Sequence, residues 1–277
     1  MIRITPVPAY KLYLTIGGIF SSLILMAILL SFIYMPYDTQ ATVYAAKFAP
    51  PSTEHIFGCD HFGRDVFSRT LEGARLTVFV SVFGVIIAMT LGGIFGSVAG
   101  YFGGWIDNIV MILSDSVMAF PGILLALVFV AVYGAGVYNI IWALGLVFFP
   151  SYARVFRTGI RQLKDREFIL QASIIGVKPI RLVLIHIFPN LLPQLIPSIV
   201  IGLANMALSE AGMSYLGLGI QPPYASWGKM LKDAQSHVIE APWTIIFPSL
   251  ALLFYILGLY FVSEGISTRF GLGRHSK

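Results

Sequence analysis

"ILQASIIGVKPIRLVLIHIFPN", residues 169–190, interrupts a chain that is otherwise mostly apolar. It holds one glycine, two prolines, a histidine and two cations, and long uncharged segments flank it. Read locally, it is helix, turn, helix. "DREFILQASIIG", residues 165–176, is helical in composition, with Asp165 as the expected N-cap and Gly176 suited to the left-handed position just past a helix end. Pro179 fits the first turn of a second helix, "IRLVLIHIF", where its missing N–H has no partner in any case. The first helix is expected to offer Phe168, Ile169, Ala172 and Ile175 on one side. The residues alone leave two readings open for that side: burial against the chain's own helices, or presentation to a partner.

Composition sets the environment of this stretch. Of 277 residues, 57% are hydrophobic and 11% charged, against about 25% charged in an ordinary soluble domain. Mean hydropathy is +0.83. This is the make-up of a polytopic membrane protein embedded in a lipid bilayer. The net charge of +5 fits basic cytoplasmic loops rather than nucleic-acid binding. With Cys59 as its single cysteine, the chain forms no internal disulfide. The start, "MIRITPVPAYKLYLTIGGIF", is basic like a signal peptide. Its apolar run is too long and no small-residue cleavage site follows, so it reads as a retained first span.

A span needs about 20 apolar residues to cross roughly 30 Å of hydrocarbon. Residues 12–34 carry no charge. Residues 116–153 are also uncharged, too long for one helix, and Gly134-Ala135-Gly136 reads as a turn between two spans. The expectation is an all-α protein with six spans, at about 12–35, 76–101, 107–132, 138–160, 191–215 and 243–265. Residues 1–11 then form an N-terminal segment, 36–75 an extracytoplasmic segment, 76–265 a five-helix core holding a loop at 161–190, and 266–277 a tail. An even number of spans puts both termini on one side. With the termini inside, twelve Lys and Arg fall on inner segments and six on outer ones, which favours cytoplasmic termini. The opening stretch then belongs to the largest cytoplasmic loop.

That stretch resembles the coupling loop of ABC importer permeases: Glu-Ala-Ala, three residues, Gly, nine residues, then an ending in Leu-Pro. Here it runs Gln171-Ala172-Ser173, Gly176, then His186-Ile187-Phe188-Pro189-Asn190. Gln171 and Ser173 depart from the pattern, and two residues rather than three separate Ser173 from Gly176. "FGCDHFGRDVFSRTLEGARLT" (57–77), "AGMSYLGLGIQPPYASWGKMLKDA" (211–234) and "APWTIIFPSLAL" (241–252) resemble segments of the peptide/nickel branch of that family, and of its second, C-type subunit. The resemblance runs from about residue 50 to 266. It implies a type I permease fold in the bacterial inner membrane and a second homologous permease with which the chain pairs. It also implies two cytoplasmic ATP-binding subunits and an extracytoplasmic solute-binding protein. The substrate would be a di- or oligopeptide, or a nickel or metal-chelate complex. ATP and Mg would sit on the partner ATPases, with no cofactor in this chain. Contact with the ATPase would fall on Phe168, Ile169, Gln171, Ala172, Ser173, Gly176, Lys178 and Pro179.

Further candidates rest on residue chemistry alone. "TEHIFGCDH" gathers metal-ligand types, and His55, Cys59 and His61 are its candidate ligands, but the spacing matches no closed site. A structural loop is the favoured reading, pinned by Asp60, Arg64, Asp65 and Arg69, with Cys59 buried as a small apolar residue. Asp115 and Glu210 lie within apolar segments, where a charge costs at least about 2.5 kcal/mol and must face protein or water. Asp115, Phe120, Glu210 and Met213 are candidates for lining or gating a pathway, and for Asp115 a hydrogen-bonded strut is favoured. Gly92, Gly96 and Gly100 are spaced for a smooth helix face, expected to pack within the subunit. There is no G-x-x-x-x-G-K-[ST] motif. "GMSYL" at 212–216 fails G-x-S-x-G, and H-E-x-x-H is absent. The chain therefore reads as a transport subunit and not an enzyme. The alternative is an ATPase-independent secondary transporter or channel, which would leave the basic loop unexplained.

Overall fold

The computed structural model describes residues 9–43 and 46–272. Arg3, Arg274 and Lys277 of the cation count lie outside the described residues, as do positions 1–8 of the expected N-terminal segment and 273–277 of the expected tail. The described chain is helical: α1 Ala9–Ile33, α2 Val66–Phe102, α3 Gly104–Met118, α4 Gly122–Tyr133, α5 Val137–Lys164, α6 Glu167–Ile174, α7 Pro179–Leu216, α8 Trp227–Ala234 and α9 Trp243–Arg269. Among the described residues, α1, α2, α5, α7 and α9 are each long and apolar enough to cross a membrane.

The third expected span, 107–132, is not one straight helix. It is α3 followed by α4, bent by 86°. Pro121 explains the break: it disfavours helical backbone at Phe120 and brings no N–H of its own. The turn expected at Gly134-Ala135-Gly136 stands between α4 and α5, with Gly134 at φ 91°. The second helix begins at Val66, ten residues before the expected 76, because Asp65 caps it: its carboxylate accepts from the Ser68 N–H at 2.7 Å. At 37 residues α2 is about 55 Å long, so its first turns rise clear of the hydrocarbon.

Close backbone approach organises the bundle. The glycine stripe of α2 faces α5 of the same chain. A Cβ on Gly96 would lie 2.3 Å from the Ala153 carbonyl oxygen, and one on Gly92 2.6 Å from Tyr152 Cβ. Helices α1 and α9 run antiparallel, with Gly17 against Val262 and Gly265 against Leu14. The start of α1 and the end of α9 therefore share one end of the bundle. Ser267 of α9 lines a cavity with Thr158 of α5 and Gln194 of α7, which places α6 at that same end. The opposite end carries α8 and the 34–65 segment. Val80, Val85, Ile140, Leu144 and Met206 form the central core. Phe156, Ile160, Leu182 and Leu191 form a second core beneath α6.

Candidate functional site

The α6 end is a helix, a tight turn and a second helix. Two hydrogen bonds close α6: Gly176 N–H to the Ser173 carbonyl at 3.0 Å and Val177 N–H to the Ala172 carbonyl at 3.1 Å. This is a Schellman ending, which needs a left-handed residue at Gly176, whose φ is 85°. No atom lies within 4 Å of where a Cβ would sit there, so backbone conformation and not packing requires glycine. Pro179 then opens α7 at its first turn. A π-helical turn, Leu182–Ile187, follows, in which the Phe188 N–H reaches back five residues to the Val183 carbonyl. The wider turn comes just ahead of Pro189, which has no N–H for the regular ladder. The Asn190 side chain donates to the His186 carbonyl at 2.7 Å.

Two expectations for α6 are corrected. Asp165 is not its N-cap: it ends α5, and α6 starts after Arg166 without a side-chain cap. Nor are the four apolar residues all buried or all presented. Ile169 and Ala172 are buried in the core against Phe156 and Leu182, and so are turned away from any partner. Phe168, Leu170, Ile174 and Ile175 face outward, the last two more than 80% exposed. The four positions fall within about 120° of helical arc, but only Ile169 and Ala172 meet the core, while Phe168 and Ile175 at the edge of that arc stay exposed. Gln171 and Ser173 are exposed, and the Ser173 hydroxyl donates to the Leu170 carbonyl. Lys178 and Pro179 border an apolar groove of about 780 Å³ between α2 and the start of α7.

Within the spans the acids behave differently from one another. Glu210 is completely buried. It accepts from the Ser214 hydroxyl at 2.6 Å and the Thr77 hydroxyl at 3.1 Å. It ties α7 to α2 and lines no opening. Met213 is likewise fully buried in the central core. The pathway expectation for both is corrected: each lies on the side of α7 that packs inward. Asp115 is exposed and pairs with the exposed Arg154 of α5. Phe120 sits exposed at the α3–α4 bend, beside a cavity of about 330 Å³ that Ser151 and Ser209 also line.

At the α8 end, Asp60 accepts from the Phe62 and Arg64 backbone N–H groups at 2.8 and 3.0 Å and from Arg64 Nε at 2.7 Å. Arg69, almost wholly buried, lies 3.7 Å from Asp60 and donates to the Thr39 carbonyl at 2.9 Å. Asp65 holds the start of α2, and His55 Nδ1 lies 3.0 Å from its carboxylate. Cys59 is fully buried, and its desolvation pushes the thiol up to about 11. His61 stacks on His237, and burial holds it below the ordinary histidine range. His61 thus turns to His237, away from His55, which pairs with Asp65. Among the described residues no three His, Cys, Asp or Glu side chains are grouped to hold a metal.

Residues 92–272 match the family described as "Binding-protein-dependent transport system inner membrane component". The chain belongs to this family. It is 39% identical over 216 residues to the dipeptide transport system permease protein DppC of Alkalihalophilus pseudofirmus, covering 78% of this chain and 71% of that one. It is 35% identical over 251 residues to the glutathione transport system permease protein GsiD of Pectobacterium atrosepticum, covering 90% and 83%. An inward-facing structure of the MetNI methionine ABC transporter superposes on 67% of this chain and 88% of that one, with TM-score 0.51 at 18% identity. The chain is thus a multi-pass inner-membrane permease of the ABC importer type I fold, in the peptide/nickel branch.

Sequence reading of this permease missed one cluster. Asp107 on α3 is buried and is held by two cations of α5: Arg157 through Nε and Nη2, and Arg161 through Nη2 at 2.6 Å. Arg154, Arg157 and Arg161 stand on the last three turns of α5, facing acids of α3. The available signal was spacing: Asp107 and Asp115 are eight apart, Arg154 and Arg161 seven, as two antiparallel helices require.

Proposed function

We propose that this permease carries di- or oligopeptides into the cytoplasm as one of two membrane subunits of an importer, driven by ATP hydrolysis on two partner subunits. The outward face of α6 carries this reading. Phe168, Leu170, Ile174 and Ile175 leave apolar surface uncovered on a short helix whose other side is anchored in the core. Exposed Arg166, Lys178 and Arg181 flank that helix in sequence. Such a surface on a rigidly seated helix suits a groove on another protein. An ATPase that grips it would transmit closure through Ile169 and Ala172 into α5 and α7.

The cation distribution and the shared end of α1 and α9 support cytoplasmic termini, with α6 on the cytoplasmic side. The 34–65 segment and α8 then receive a solute-binding protein outside. The names of the similar proteins favour peptides over nickel or metal chelates, and no grouping of His55, Cys59 and His61 among the described residues supports the metal alternative.

The test is purification of the tagged chain from its host in mild detergent, with partners identified by mass. A second permease and two P-loop ATPases are expected. Recovery of the chain alone, with uptake persisting in vesicles without ATP, would instead establish a secondary transporter. A companion variant, Gly176→Pro, is expected to insert normally and abolish uptake, because proline cannot adopt φ near +85°. Wild-type uptake by that variant would sink the coupling role.

A further inference from the structure

Two ion-pair sites join α3 to α5, and they differ in accessibility. At Asp107 the carboxylate side chain is 6% exposed and is gripped by two arginines. About two turns of α3 further from the α6 end, the Asp115 side chain is 62% exposed and Arg154 45%. Arg154 lies ten residues from the end of α5, about 15 Å along the axis. An open charge pair on a membrane-spanning helix is unfavourable against lipid and belongs against water or protein.

Its surroundings choose water. Ser151, Arg154 and Thr158 stand on one exposed face of α5, at spacings of three and four. Gln194 and Ser198 on α7 continue the polar strip beside them. A cavity of about 460 Å³ is lined by Arg154, Thr158, Gln194 and Ser198, and the 330 Å³ cavity by Phe120 lies above it along α5. Both are in the size range of small-molecule sites, roughly 300–1,000 Å³.

We propose that the Asp115–Arg154 pair is the point at which this chain contacts the two charged ends of a zwitterionic peptide in transit. The inference rests on the peptide reading above. The peptide ammonium takes the place of Arg154 on Asp115, and the peptide carboxylate takes the place of Asp115 on Arg154. One ion pair becomes two, with no charge left unpaired at any stage. The neutral side chains Ser151, Thr158, Gln194 and Ser198 offer hydrogen bonds to backbone amides that do not depend on the peptide's side chains. Open to water, each contact is weak, which suits a site that must release what it meets.

The test uses the complete importer with its binding protein in proteoliposomes, and a panel of radiolabelled di- to tetrapeptides with glutathione. The variant is Asp115→Asn with Arg154→Gln, which leaves no lone charge in the membrane. Uptake is expected to fall at least tenfold, while ATP hydrolysis stimulated by the loaded binding protein stays within twofold of wild type. A photoreactive dipeptide should label α5 or α7 in wild type, and excess unlabelled dipeptide should suppress this. Uptake at the wild-type rate, loss of stimulated hydrolysis in parallel with uptake, or labelling elsewhere only would each overturn the site while leaving the peptide reading intact. Failure of wild type to take up any member of the panel would sink the peptide reading and this site with it.

Discussion

Helices α6 and α8 are both eight residues long, one at each end of the bundle, and they are seated in opposite ways. Helix α8 is sunk into the protein. Trp227 is fully buried and donates its indole N–H to the Thr70 carbonyl at 3.0 Å. Gly228 lies so close to α7 that a Cβ would be 2.3 Å from the Ala211 carbonyl oxygen. Ser226 caps the helix, accepting from the Lys229 N–H. Helix α6 has no side-chain cap and buries Ile169 and Ala172, leaving its remaining large apolar side chains uncovered. One helix is finished by its own chain, and the other keeps apolar side chains uncovered, which the proposed function assigns to a partner. The difference shows that length and amphipathic composition do not distinguish a structural helix from a docking one; the supply of neighbours on each face does.

The largest effect that would sharpen this contrast is on stability. Trp227→Ala should lose about 3–5 kcal/mol, read as a lowered thermal midpoint in detergent, whereas Phe168→Ala should stay within about 0.5 kcal/mol. Equal losses would erase the distinction. Next comes association. Ile174→Asp with Ile175→Asp should leave the thermal midpoint unchanged and reduce ATPase co-purification at least tenfold, about 1.4 kcal/mol or more. Unchanged co-purification would show that the uncovered face of α6 is not the docking face. A smaller change is expected from Ser226→Ala, about 1 kcal/mol for the lost cap. The absence of any shift would mean that packing of Trp227 alone seats α8.

The subtlest test concerns the wall of the α8 end. Cys59 is buried and its thiol is raised to about 11, so between pH 7 and 8 the reactive thiolate is scarce as well as shielded. A maleimide should label it only after denaturant opens the 34–65 segment. Rapid labelling of the native protein would show that this end is as open as the α6 end.

Several features were legible from residues alone because local physics decides them. Uncharged length marked the long spans. Glycine at 134 and 136 marked the turn before α5, and Gly176 with Pro179 marked the helix–turn–helix, since left-handed backbone and a missing N–H act within one turn. The family was legible because three separated motifs occur in order. The tertiary structure decided what depends on neighbours distant in sequence. It turned Ile169 and Ala172 inward and Ile174 and Ile175 outward, because only one side of α6 meets α5 and α7. It enclosed Glu210 and Met213 by packing α2 and α8 against α7, where sequence showed only an acid in an apolar run. It bent the third span at Phe120 and paired Asp107 with Arg157 and Arg161. It left Asp115 and Arg154 open because nothing in the described chain covers them. Burial and charge pairing are properties of faces, and a face acquires its partner only when helices far apart in the chain are brought side by side.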